Sequence, residues 1–295
     1  MKIKFYVVLL VGSLIVCSVF ALLNPVGELI NQKANNGVIS AYNENTSVMD
    51  DKKKALLLNE AEKYNDALAD NIAINNTFPA DSFYSDSQYN SILDVSGDGV
   101  IGTIKVPSVN INLPIYHGAD ESGYDKGAVH MINTSFPIGG ATTHSVISAH
   151  TAYPGKVFFD KLTSVKEDEY FYVQVLGDTL AYRIYEIKVV LPDDNLVFQA
   201  EEGKDIVTLV TCTPYSVNTH RLLVRGIRDK SKDIKSGSIS DEKAAVTDTD
   251  ISTLDYSSVI VVSIILLLII FIIVLLLVFA ARHQRKTQKK DGGVL

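Results

Sequence analysis

A cysteine at the end of an apolar run, with an arginine nine residues further on, is a pair of residue types suited to acyl transfer. In TLVTCTPYSVNTHRLLVRG, residues 208–226, these are Cys212 and Arg221. The thiolate is the nucleophile, and a thiol of ordinary pKa, about 8.5, is only about 3 % ionised at pH 7. A guanidinium nearby favours the anion and offers several donors to a carbonyl oxygen that is becoming an oxyanion. The plainer reading makes Cys212 a small buried hydrophobe and Arg221 a surface charge, because free cysteine is among the most buried residue types.

Such chemistry also needs a proton donor and acceptor. Outside the chain's ends stand His117, His130, His144, His150 and His220. His150 closes the apolar run Ser145 to Ala149, a strand-to-loop position where a rigid scaffold places a working side chain. His220 adjoins Arg221, but successive strand residues face opposite ways, so His150 is the first candidate and His220 the second. Thr211 and the backbone N–H after Cys212 are candidate substrate contacts on neighbour position alone. No Cys/His cluster stands at zinc spacing, and no cofactor is expected.

The elements that must position these groups are short. Apolar runs 206–211 and 222–224 flank Pro214 and Asn218 and read as strand, turn, strand. Similar runs at 100–106, 111–116, 144–149, 170–176, 180–190 and 221–227 predict a barrel or sandwich over 95–228, with one short helix at 156–162. Before it, 24–71 reads as helical, with Leu57, Ala61, Tyr64 and Leu68 on one face, and 72–94 as a loop. DVSGDGVIGTIK, 94–105, has carboxylates at calcium-loop offsets but Lys105 where a bidentate Glu is needed, and reads as a turn. Residues 229–258 form a polar linker, too poor in apolar residues to build a core.

Two apolar runs, 5–23 and 259–281, are each long enough to span about 30 Å of hydrocarbon. Lys2 and Lys4 in segment 1–4, and the basic tail 282–295, place both ends on the cytoplasmic side by the positive-inside rule, with the middle outside. A cleaved signal peptide is the other reading of the first run. The ends hold seven Lys or Arg against one acid, so a net charge of −7 becomes −13 in the part between. That acidity argues against nucleic acid as a partner. Cys17 lies within the first run, leaving Cys212 alone outside, a hint of a reactive thiol.

The motif TCTP…NTHRLLVRG resembles the signature of the sortases, extracellular cysteine transpeptidases of Gram-positive bacteria, in the wording of the pilin-polymerising class C. The likeness runs through VIGTIKVPSVNINLPIYHG, GAVHMINTSFPIGG, THSVISAHTAYPGKVFFDKL and LAYRIYEIKVVLP, covering about 81–228. It implies an eight-stranded sortase-type β-barrel with N-terminal helices and a lid loop, flanked by two transmembrane helices. It also implies Cys212 as nucleophile, His150 as acid and base, and Arg221 as the group that orients the peptide. The implied reaction cleaves a Leu-Pro-x-Thr-Gly-like sorting signal and passes the acyl group to a pilin lysine. Class C lids carry an Asp-Pro-aromatic motif; the matching residues are Asp81, Ser82 and Phe83, with Ser82 in place of proline. Asp81 would pair with Arg221 and Phe83 would cover Cys212. A housekeeping sortase acting on peptidoglycan, or a non-enzymatic surface binding module, are the competing expectations.

Overall fold

Between 100 and 228 the chain runs in short stretches of Val, Ile, Tyr and Phe, broken by Pro, Gly and Asn, types that favour pleated strands and tight turns. In the computed structural model, which describes residues 2–75, 86–118, 121–192 and 198–234, they form eight strands. These are β1 (Val100–Val106), β2 (Ile111–His117), β3 (Ala128–His130), β4 (Thr143–Ser148), β5 (Tyr170–Val175), β6 (Asp178–Val190), β7 (Asp205–Thr213) and β8 (His220–Arg228). They close into a barrel in the order β1-β2-β3-β4-β7-β8-β6-β5. Closure leaves no free edge.

The sequence reading finds seven of these strands and misses β3. Its three residues are all buried, so they show no alternation of apolar and polar that could mark a strand. Inward-facing Ile104, Ile115, Ile147, Phe171, Tyr182, Leu209 and Val224 fill the core. Phe171 lies so close to β8 that a Cβ on Gly226 would sit 2.4 Å from its ring; only glycine leaves room there.

The chain divides into two units, Glu28–Asp241 and Met1–Gly27 with Glu242–Leu295, and the barrel belongs to the first. Two helices precede it, α1 (Lys2–Ser47) and α2 (Asp51–Asn75). The break between them is fixed by Asp50, whose Oδ1 accepts the Lys53 N–H at 2.7 Å as an N-cap does. The predicted face of α2 does pack inward: Ala61, Tyr64 and Leu68 are buried in the core. Asn65 exchanges two hydrogen bonds with the backbone of Phe136, at 3.1 and 2.7 Å.

Part of the expected loop 72–94 is ordered into the core. α2 continues to Asn75, a single turn, α3 (Asp86–Tyr89), follows, and Tyr89 and Leu93 are fully buried. The Tyr89 ring packs on Phe136 at 5.3 Å, and its hydroxyl donates to the His130 carbonyl at 3.0 Å. Asp81, Ser82 and Phe83 lie outside the described residues. The turn reading of 94–105 agrees with Asp94, whose Oδ1 accepts the N–H groups of Gly97 and Gly99.

Two further expectations differ from the structure. No helix occupies 156–162; a 3-10 turn forms instead at Leu162–Ser164, because Asp160 takes the N–H groups of Ala152 and Phe158 and folds the segment into turns. The chain also stays on the barrel past 228. Ile234 bridges to Thr179, and Asp233 holds Arg228 at 2.8 Å. Among the described residues no helix is long and apolar enough to cross a membrane. Most side chains of 5–23, and all of 259–281, fall outside the described residues.

Candidate active site

β7 and β8 are antiparallel neighbours in a register that sets Cys212 opposite Arg221 and Val210 opposite Leu223. Side chains on directly opposed residues share a face. Thr211 and Leu222, one step along, turn into the core and are buried, so Cys212 and Arg221 stand on the outer surface of the barrel wall, both half-buried. The next strand, β6, places Val190 opposite Arg221. Next to the thiol, Val146, Val190, Val210 and Leu223, with Met131 and Phe198 against them, make an apolar patch.

β4 lies on the other side of β7 and runs parallel to it, with Ser148 opposite Val210. Continued past the strand end, this register brings His150 beside Cys212. Two bonds hold the ends together: the Ala149 N–H donates to Val210 O at 3.1 Å, and Thr211 Oγ1 donates to Ala149 O at 2.8 Å. A third, from the Phe159 N–H to His150 O at 3.0 Å, fixes the backbone of the histidine itself.

Thr211 is therefore not a substrate contact through its side chain. Its hydroxyl is buried and spent on the segment that carries His150. His220 pairs with Thr213 on the inward-facing side of the alternation, and its Nδ1 bonds the hydroxyl of Thr219 at 2.9 Å. Among the described residues the Arg221 guanidinium touches only backbone carbonyls, those of Asn218 at 3.2 Å and His220 at 3.1 Å, so its charge meets no carboxylate there. Cys212 is a free thiol.

The sequence reading missed three residues of this surface. Tyr124 lies with its ring centroid 5.4 Å from that of His150. Burial pushes its phenol up, Ser148 pulls it back, and Cys212 adds to the rise. Ser148 faces it from β4. Tyr153 stands 5.2 Å from His150 on the same loop. The one sequence signal for it is an aromatic three residues after the candidate histidine; Tyr124 gives none.

At the far end of the same outer face, His144 is buried and contacts Gln199 O at 2.9 Å through Nδ1 and Thr208 Oγ1 at 2.7 Å through Nε2. A carbonyl can only accept, so Nδ1 carries the proton and the hydroxyl donates to Nε2. Burial holds this histidine neutral, its pKa lowered to about 4, with the Gln199 carbonyl opposing and Arg225 reinforcing the fall. His130 and His117 are likewise buried, the first bonded to Tyr89 Oη at 2.8 Å and the second to the Ile92 carbonyl at 2.7 Å. Among the described residues no three His, Cys, Asp or Glu side chains gather as metal ligands.

A closed eight-stranded barrel with a free thiol, an arginine in register with it and a histidine at the neighbouring strand end defines the class: the chain belongs to the sortase family, whose members are cysteine transpeptidases. The family's domain model, "Sortase domain", matches residues 104–229. Sortase C1 of Streptococcus agalactiae is similar at 36 % identity and TM-score 0.59, over 65 % of this chain and 97 % of that one. Sortase C of Clostridium perfringens, solved with the C-terminal cell wall sorting motif, is 38 % identical with TM-score 0.57, over 65 % and 98 % of the two chains. Among curated relatives, sortase A of Streptococcus agalactiae is 31 % identical over 148 residues, 49 % of this chain and 59 % of that protein's length.

Proposed function

We propose that this chain is a membrane-anchored cysteine transpeptidase of the pilin-polymerising kind, cutting a Leu-Pro-x-Thr-Gly-like sorting signal between Thr and Gly. The observation that carries the reading is the cross-strand pair Cys212 and Arg221, with His150 held at the end of the adjacent parallel strand. The thiolate of Cys212 adds to the Thr carbonyl, and Arg221, free of any carboxylate among the described residues, donates to the oxygen as it gains charge. Protonated His150 gives its proton to the departing Gly amine, and a thioester remains on Cys212. A pilin lysine amine then attacks the thioester, His150 takes its proton, and the thiolate leaves as the isopeptide bond forms. The apolar patch beside Cys212 suits the Leu and Pro of such a signal.

In this reading 5–23 and 259–281 are the two spans, the barrel is extracellular, and Asp81 and Phe83 close a lid over the resting thiol. Intact-mass measurement of the full-length chain after exposure to a Leu-Pro-x-Thr-Gly peptide tests the chemistry. The expected result is an acyl adduct that is absent in Cys212→Ala. An adduct seen only in Asp81→Ala or Phe83→Ala establishes the lid as well. No adduct in any of these proteins overturns the Leu-Pro-x-Thr-Gly reading and leaves an unusual sorting signal or a binding module. Presenting the thioester with a lysine-bearing pilin and with a peptidoglycan bridge peptide separates a pilin polymerase from a wall-anchoring enzyme, by which amine resolves it.

A further inference from the structure

His150 stands two residues beyond the end of β4, in a loop, and a catalytic imidazole needs a fixed plane. In triads built on the same logic a third group, usually a carboxylate, bonds the far ring nitrogen and sets that plane. Among the described residues no hydrogen bond reaches the His150 ring. What touches it is aromatic. Tyr124 lies on it at 5.4 Å with the planes 50° apart, and Tyr153 at 5.2 Å and 31°.

Both rings are themselves anchored, and by each other's segments. Tyr153 Oη donates to Asp125 Oδ1 at 2.8 Å, and Asp125 is the neighbour of Tyr124. Lys156 donates its ammonium to the Asp125 carbonyl and lies over the Tyr153 ring, 5.4 Å from its centroid. The buried ring of Phe158 meets Tyr153 edge-on at 5.9 Å. Tyr124 packs against the small cluster of Tyr42, Val100, Tyr116 and Val129. The segment before β3 and the loop after β4 are thus tied into one frame with His150 inside it.

We propose that Tyr124 and Tyr153 are positioning residues for the acyl transfer, a two-ring clamp that sets the plane of the His150 imidazole beside Cys212. The proposal rests on the reading of Cys212 and His150 as the reacting pair. Rings at this separation prefer tilted or offset contacts and add specific attraction to simple burial. An imidazolium formed during the reaction also gains from two aromatic faces within about 6 Å. The clamp acts on the reacting geometry and leaves peptide binding to the strand face next to Cys212.

The test uses the full-length chain and four variants: Tyr124→Phe, Tyr124→Leu, Tyr153→Leu and Asp125→Asn. Each Leu variant should lower kcat for thioester formation by about three- to tenfold with KM nearly unchanged, the size expected for one aromatic contact. Tyr124→Phe keeps the ring and should hold kcat within about twofold. In chain labelled at its six histidines, the His150 imidazole C–H resonance, identified by its loss in His150→Gln, should shift in both Leu variants and stay in Tyr124→Phe. Asp125→Asn, an exposed change that loosens the Tyr153 anchor, gives a smaller shift and serves if a Leu variant does not fold. Native kcat with an unmoved resonance in the Leu variants overturns the clamp, as does a rise in KM alone. If the native chain, Asp81→Ala and Phe83→Ala all fail to be acylated by the sorting peptide, the proposed reaction falls, while the resonance, which needs no substrate, still decides the clamp.

Discussion

The β7–β8 hairpin carries an arginine near each end, and the two ends treat it in opposite ways. At the end away from the turn Arg228 points inward, where it meets Asp205 at 3.1 Å and Asp233 at 2.8 Å, with all three side chains nearly buried. Tyr182 adds a hydroxyl that donates to Asp205 at 3.0 Å. At the turn end Arg221 faces outward beside Cys212 and, among the described residues, has only backbone carbonyls for company. One arginine is used up in holding the barrel together. The other keeps its donors for something that arrives.

That contrast is most directly broken by exchanging the consequences. Arg221→Ala should lower the rate of thioester formation by about 100- to 1000-fold, as loss of an oxyanion donor does, while the urea midpoint stays close to native. If stability falls and the rate does not, Arg221 is structural and the ends are alike. Arg228→Ala should do the reverse, costing about 3–5 kcal/mol by leaving Asp205 and Asp233 buried without their counter-charge. Urea unfolding measures this, and a change under about 1 kcal/mol would mean the end away from the turn is held by packing alone.

Acid sharpens the comparison at the end away from the turn, where His144, the second residue of β4, stands opposite Ile206. Its folded pKa of about 4 lies below the unfolded value near 6.5, so the folded state binds fewer protons than the unfolded one. Stability from the neutral ring is whole above about pH 6.5 and is lost as pH falls toward 4, by about 2 kcal/mol at pH 5. Of the charges nearby, Arg225 adds to this fall and Glu201 opposes it. Hydrogen exchange of amides 199–208 should quicken over that range in the native chain and much less in His144→Gln. Equal acceleration in both would assign the acid sensitivity elsewhere. The smallest effect belongs to neither end: Lys54 meets Asp178 at 3.1 Å with both side chains about one-fifth exposed. Lys54→Ala should cost no more than about 1 kcal/mol in the same urea assay.

Much of this was legible in residue order, and what was not has a physical cause. Seven strands show as β-branched runs between turn residues, and alternation alone separates Arg221 from His220. The same alternation, applied one residue before Cys212, would have sent Thr211 into the core. β3 is too short and too buried to alternate. Tyr89 and Leu93 sit in a polar stretch, SDSQYNSILD; Tyr89 is buried through tertiary contacts with Phe136 and His130, and Leu93 within the core. Tyr124 is 26 residues from His150 in the chain, and no local pattern foretells that two loops will be tied together at Asp125.

The parallel pairing of β4 with β7 has a bearing on how such a barrel can change. Histidine and cysteine ride on the corresponding ends of two strands locked by six register pairs, so their spacing is a property of the sheet. The connections that flank β7, from β6 and to β8, lie outside that ladder. Those connections can lengthen, shorten or be rewritten for another peptide without disturbing the distance the chemistry depends on. The wall keeps the reaction constant, and the loops are free to choose the substrate.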